Sequence, residues 1–272
     1  MLRNLVGLIF NWVNWLIPKS KGKICITAFP DFDDQTKGLL LLIKDKKIVI
    51  LLAENQKKDS PDWINSEIVV CKKYSLTGFY HLTTAGTIYF THGVFSFFRK
   101  INVNRQKVIN IWHGMPLKNI GLLDGKSSFP DSHELYSTSL FFKEIMMKVS
   151  GQKSANVLVS GLPRNNILSL PVTNAYLKGV KSKYSKVITW LPTYRKTNIG
   201  DIRNDGEELS IFGFDDFDAT KFNEVLREKN ILVVIKPHPL AAKSYPISEY
   251  SNIKQIDESW LGEKGLTLYE LL

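Results

Sequence analysis

Six basic side chains stand where apolar runs give out. His113 and Lys118 close "VINIWHGMPLK" (108–118), and Arg164 closes "VLVSGLPRNN" (157–166). Arg195 follows "VITWLPTY" (187–194), while Lys236 and His238 follow "ILVVI" (231–235). An imidazole exchanges a proton near neutral pH, and guanidinium and ammonium groups grip anions. No acidic pair and no cysteine accompanies them, which disfavours a carboxylate-pair glycosidase. Any one of these features has an ordinary explanation: a histidine after a strand is commonly structural, Gly161-Leu-Pro163 can be a simple turn, and Pro237 and Pro239 can merely stop a strand. Four such endings, all basic, point instead to a phosphate-bearing substrate.

Groups of this kind need a scaffold that delivers strand ends to one edge. Short β-branched runs predict strands over 24–28, 48–52, 67–71, 87–90, 108–112, 134–137 and 156–159, then over 186–190 and 231–235. Longer amphipathic stretches predict helices over 35–43, 76–84, 140–149, 174–181 and 218–229. Strands alternating with helices imply parallel sheets covered on both faces, and in such sheets ligands bind beyond the carboxyl ends of the strands.

At 272 residues the chain suits two domains by a length prior of roughly 150 each. The reading divides it into a first α/β domain over 24–170, a connector over 171–185 and the start of a second domain over 186–272, with a mobile loop over 193–215. The final "GLTLYELL" reads as a helix opening at Thr267. Only two clear strands precede it in the second domain, so the sequence reads as C-terminally incomplete.

The net charge of +10 implies an anionic partner: nucleic acid, a membrane surface or a phosphorylated substrate. Without zinc-finger spacing or an interleaved aromatic RNA signature, nucleic acid is disfavoured. Cys25 and Cys71 lie in apolar runs and read as two buried thiols in a reducing compartment, with a single disulfide as the alternative. They offer no metal-ligand spacing.

"MLRNLVGLIFNWVNWLIPKSKGK" (1–23) lacks a small-residue cleavage site and carries its basic cluster after the apolar run, unlike a secretory signal. On a helix, Asn4, Gly7, Asn11 and Asn14 form one narrow polar stripe, and leucine, isoleucine, valine and tryptophan cover the rest. The segment is too short to span a bilayer core of roughly 30 Å comfortably. Its wide apolar face and trailing lysines suit a helix lying in the membrane interface, and packing on the protein's own core is the alternative.

"IWHGMPLKNIG", "SGLPRNN", "PTYR" and "KPHP", in that order, resemble the CDP-glycerol glycerophosphotransferase family over roughly residues 85–272. These enzymes build teichoic acids and related glycerol- or ribitol-phosphate polymers of bacterial envelopes and capsules. Met115 stands where the family usually has threonine and Asn166 where it usually has aspartate, and the given sequence stops before the Asp-Tyr-Ser-Ser element that family members carry.

The resemblance implies a GT-B-like α/β fold of two Rossmann-like domains. It also implies transfer of glycerol phosphate from CDP-glycerol (or CDP-ribitol) to a lipid-linked primer or growing chain, releasing CMP. In that reading His113 is the general base on the acceptor side, in a motif supported by Gly114, Pro116 and Lys118. His238, Lys236, Arg195, Arg164 and Thr193 attend the donor phosphates. His81, His92 and His133 fall outside the motifs and read as structural or surface residues. No cofactor is implied beyond the donor substrate. The site of action is the cytoplasmic face of the membrane, where donor and lipid-linked acceptor meet. A nucleotide-sugar glycosyltransferase of the same fold and an inactive family remnant are the alternatives.

Overall fold

The structure is a computed structural model that describes residues 2–43, 48–53, 61–95, 105–125, 128–192, 216–237 and 250–272. The chain forms two compact units, Met1–Leu170 and Pro171–Leu272.

The first unit is a seven-stranded sheet of β1 (Ser20–Thr27), β2 (Ile48–Ala53), β3 (Val69–Lys72), β4 (Ala85–Phe90), β5 (Lys107–Asn110), β6 (Glu134–Ser137) and β7 (Val157–Val159). All pairings are parallel, in the order β3-β2-β1-β4-β5-β6-β7. Its helices are α1 (Leu2–Leu16), α2 (Asp34–Leu42), α3 (Leu76–Thr84) and α4 (Leu140–Ser150). The period of two in a strand explains the covering. Ile24 and Ile26 of β1 pack with Leu39 of α2 on one face, and Cys25 packs with Leu82 of α3 on the other. Both cysteines are buried free thiols, and burial pushes the Cys25 thiol up to about 12.

Strand order reverses between β1 and β4, so connections leave the sheet in opposite directions there and open a crevice at the carboxyl ends. Helices begin just past these ends on side-chain caps: Asp33 accepts the Thr36 N–H, and Ser139 accepts the Phe142 N–H.

Helix α1 lies on this unit with Gly7 and Asn14 of its polar stripe inward. Asn14 is 2% exposed and donates to Gln106 Oε1 at 2.8 Å. Gln106 in turn donates to the carbonyls of Leu82 and Ala85. Lys19 Nζ reaches Asn14 Oδ1 at 2.8 Å and the Thr83 carbonyl at 2.5 Å. Phe10 packs edge-on against Phe95, at 5.2 Å between ring centroids. The apolar side faces out, with Leu8 67% and Trp12 66% exposed. Among the described residues no helix is long and apolar enough to cross a membrane.

The second unit holds a parallel three-stranded sheet of β8 (Lys186–Trp190), β9 (Ile231–Ile235) and β10 (Ile253–Gln255), ordered β10-β9-β8. Helices α5 (Ala175–Lys183), α6 (Ala219–Glu228), α7 (Glu258–Glu263) and α8 (Leu268–Leu271) accompany it. Leu177 and Val180 of α5, within the stretch read from sequence as a connector, pack on the core of Leu232, Val234 and Leu261. Thr267 opens α8 as expected: the Glu270 carboxylate accepts its backbone N–H at 2.9 Å and its hydroxyl at 3.1 Å. The segment 193–215, read as a loop, lies outside the described residues.

Candidate active site

Strand β5 was expected to run to residue 112, but it ends at Asn110. The cause is local. The buried Asn110 carboxamide accepts the Trp112 backbone N–H at 2.9 Å, and Trp112 takes a left-handed φ of 52°. A bulky residue there is strained. The reversal swings His113 out of the strand line to the crevice edge. Gly114 follows at φ 149°, and a Cβ on it would come within 3.1 Å of Arg164 Nη2. Only glycine serves both demands.

Arg164 reaches this point from the far edge of the sheet. After β7 the Ser160 and Gly161 N–H groups both donate to the Ser137 carbonyl at 3.1 Å. The chain then turns into a 3₁₀ segment, Pro163–Ser169, against α2. Gly38 of α2 permits the approach, because a Cβ there would lie 2.2 Å from the Pro163 oxygen.

Gln35, fully buried on the first turn of α2, ties the two loops together. Its Nε2 donates to the carbonyls of Trp112 (2.6 Å) and Ile111 (3.3 Å), and its Oε1 accepts the Arg164 N–H at 3.1 Å. Next to it, burial pushes the Asp33 carboxyl up to about 7, while bonds from Thr36 and the Arg164 charge pull the other way.

His113 Nδ1 faces the Thr91 carbonyl at 3.3 Å. A carbonyl only accepts, so Nδ1 carries the proton and the Nε2 lone pair is left available. Burial pushes the His113 imidazole down from its usual value; the Thr91 carbonyl opposes this and the Arg164 charge adds to it. The ring therefore stays neutral near pH 7, the form in which an imidazole can accept a proton.

A second histidine, which the sequence reading placed among structural or surface residues, stands against the first. His92 lies flat on His113, with ring centroids 3.8 Å apart and planes 7° apart. Trp112 flanks His113 at 4.1 Å, and Phe29 meets His92 edge-on at 5.6 Å. The sequence did carry a signal. Strands β4 and β5 pair in register with Phe90 opposite Asn110, and their exits spell Thr-His-Gly (91–93) and Trp-His-Gly (112–114). His133, by contrast, accepts the Val108 N–H with Nδ1 and so caps the start of β5.

Of the other expected residues, Pro116 is half-buried and Lys118 exposed on the loop beyond His113. Met115 packs with the Trp112 cluster. In the second unit Lys236, 6% exposed at the end of β9, pairs with the half-exposed Glu258 at 2.6 Å. Thr193, Arg195 and His238 lie outside the described residues. The first unit thus brings His113, Gly114 and Arg164 together, and adds His92, Thr91 and Gln35 to them.

Comparisons with known proteins bear on the family and the fold. The family described as CDP-Glycerol:Poly(glycerophosphate) glycerophosphotransferase matches residues 9–259. No curated protein matches the chain. Among solved structures, the wall teichoic acid polymerase TagF is similar with a TM-score of 0.66 and 16% identity, over 97% of this chain and 68% of that one. A variant of TagF soaked with CDPG is similar with a TM-score of 0.66 and 15% identity, over 99% of this chain and 67% of that one. A further TagF variant gives a TM-score of 0.67 and 16% identity, over 99% and 71%. The likeness is one of fold: an α/β architecture of the GT-B-like kind built on the parallel seven-stranded sheet.

Proposed function

The chain belongs to the CDP-glycerol:poly(glycerophosphate) glycerophosphotransferase family, and we propose that within it the chain moves glycerol phosphate from CDP-glycerol to a hydroxyl of a lipid-linked acceptor or growing envelope polymer, releasing CMP. The observation that carries this reading is the placement of His113. It is a neutral imidazole with Nδ1 directed at the Thr91 carbonyl, beside the Arg164 guanidinium, at the carboxyl edge of the sheet.

The step balances as a phosphoryl transfer. The acceptor hydroxyl gives its proton to His113 Nε2 as its oxygen bonds to the phosphorus that carries glycerol. The bond from that phosphorus to the bridging oxygen breaks, and CMP leaves with the electron pair. General-base help of this kind is worth about 10²- to 10⁴-fold in rate. Arg164 would meet the charge that gathers on the attacked phosphate, where a fixed donor counts most. Lys236 and, from the sequence motifs, Thr193, Arg195 and His238 attend the donor's phosphates. Lys236 would exchange its Glu258 partner for phosphate in doing so.

Helix α1 supports action at a membrane surface. Gly7 and Asn14 of its polar stripe are taken up by the protein, and Leu5, Leu8, Trp12, Trp15 and Leu16 are left outward, with exposed Lys21 following. Such a face binds the interface of an anionic bilayer. The cytoplasmic leaflet is the side where a nucleotide donor and a lipid-linked acceptor coincide. The test is incubation of the full chain with glycerol-labelled CDP-glycerol and membranes. Labelled polymer with matching CMP release supports the reading; label released only as free glycerol phosphate, or no turnover beside active UDP-sugar transfer, overturns it.

A further inference from the structure

Two histidines share one anchor. Thr91 uses its carbonyl for His113 Nδ1 at 3.3 Å and its side chain for His92 Nδ1 at 2.9 Å. The Thr91 hydroxyl already accepts the Phe29 backbone N–H at 3.1 Å. Its own proton is then available to point at His92 Nδ1, in the tautomer that carries that ring's proton on Nε2. Phe29 meets the His92 ring edge-on at 5.6 Å. His92 is thus fixed at two places while its plane lies against the face of His113.

We propose that His92 is a positioning residue for the base: its ring, pinned by Thr91 and Phe29 and stacked flat on His113, holds that imidazole in the orientation and tautomer from which Nε2 takes the acceptor proton. This rests on His113 being the base. The physical need is plain. Trp112, in its left-handed turn, holds one side of His113, and a single hydrogen bond of 3.3 Å is too long to fix the ring alone. A parallel aromatic face at 3.8 Å removes the remaining freedom of χ2 and excludes water from that side. Burial pushes both imidazoles down; the facing His113 and then Lys73 add to this for His92, and Arg164 adds to it for His113 against the Thr91 carbonyl. The stack therefore joins two neutral rings. The arrangement also suits the proton's arrival, because the imidazolium formed at His113 would lie against a neutral ring face.

The shape and the hydrogen bond of His92 can be separated by substitution, and the position is exposed enough to accept it. His92→Phe keeps a flat ring; His92→Leu keeps bulk without one. In the full chain, His92→Leu is expected to lower kcat about 10- to 100-fold, by analogy with loss of a partner that orients a metal-ligating histidine, with KM for CDP-glycerol within about twofold. His92→Phe should recover most of that loss. Nitrogen-15 spectra of the histidine rings read the same point without turnover: parental His113 should show the single Nδ1–H tautomer, kept in His92→Phe and mixed in His92→Leu. Parental kcat and an unchanged His113 spectrum in His92→Leu, or equal damage from Phe and Leu, would overturn the proposal. His113→Ala separates the two ideas. If it retains transfer, the base assignment fails, and the spectra still decide whether His92 orders that ring.

Discussion

The Arg164 backbone N–H donates to Gln35 Oε1 at 3.1 Å, across 129 residues of sequence. The same carboxamide donates to the carbonyls of Ile111 and Trp112, so one buried side chain sets the distance between the loop that carries His113 and the segment that carries Arg164. Gln35→Leu would leave three backbone groups without this partner, at roughly 1–3 kcal/mol for each that finds no substitute. We expect a stability loss on the order of 3 kcal/mol, read as a lower denaturant midpoint, and transfer reduced at least about tenfold. An unshifted midpoint with parental transfer would show that the two loops hold their places unaided.

Gly38 makes the neighbouring contact. A methyl group there would press on the Pro163 carbonyl, so Gly38→Ala must displace the start of the 3₁₀ segment and Arg164 with it. Overpacking of this kind costs about 1–3 kcal/mol, which outweighs the helix-propensity gain of about 1 kcal/mol. A more stable Gly38→Ala protein on thermal unfolding would contradict the packing.

Much of this was legible in the sequence and some was not. The strands over 134–137, 186–190 and 231–235 coincide with β6, β8 and β9, because β-branched runs bounded by polar residues admit little else. The approach of Arg164 to Gly114 was not legible: it depends on a tertiary return across the sheet, and Gln35 reads in sequence as any polar helix residue. His92 was half legible, since its Thr-His-Gly exit repeats the Trp-His-Gly one, but only the register of Phe90 with Asn110 makes the two meet. Strand β10 spells Ile-Lys-Gln, a single β-branched residue followed by two polar ones, so no apolar run declares it as Val-Leu-Val declares β7.

The pH profile follows from the depressed His113 pKa. As the proposed base, His113 works when neutral, so activity should fall as pH drops through its folded pKa. Because burial and Arg164 push that value below the ordinary one, the acid limb of kcat/KM should lie below about pH 6.5. Arg164→Gln removes the repulsion, and the limb of its residual activity should move to higher pH. A limb above 6.5 in the parent, or a downward shift in the variant, would contradict the electrostatics.

Helix α1 predicts where the protein sits. Leu8 and Trp12 point outward and take no part in the contacts of Asn14 or Phe10, so the pair Leu8→Glu, Trp12→Glu should fold normally. Loss of two buried apolar side chains removes about 1.5–3 kcal/mol each from interfacial binding. The parent should sediment with anionic lipid vesicles and the variant should stay in the supernatant. Sedimentation of both would place the membrane contact on another surface, and a parent left in the supernatant would contradict membrane binding.

The most direct measurement is the transfer rate of His113→Ala beside its affinity for CDP-glycerol. The account predicts a fall of about 10²- to 10⁴-fold in glycerol phosphate transferred, with the dissociation constant for CDP-glycerol by calorimetry within about threefold of the parent. Parental turnover by the variant would contradict the assignment of the base. Loss of CDP-glycerol binding together with activity would place His113 among the groups that hold the donor instead.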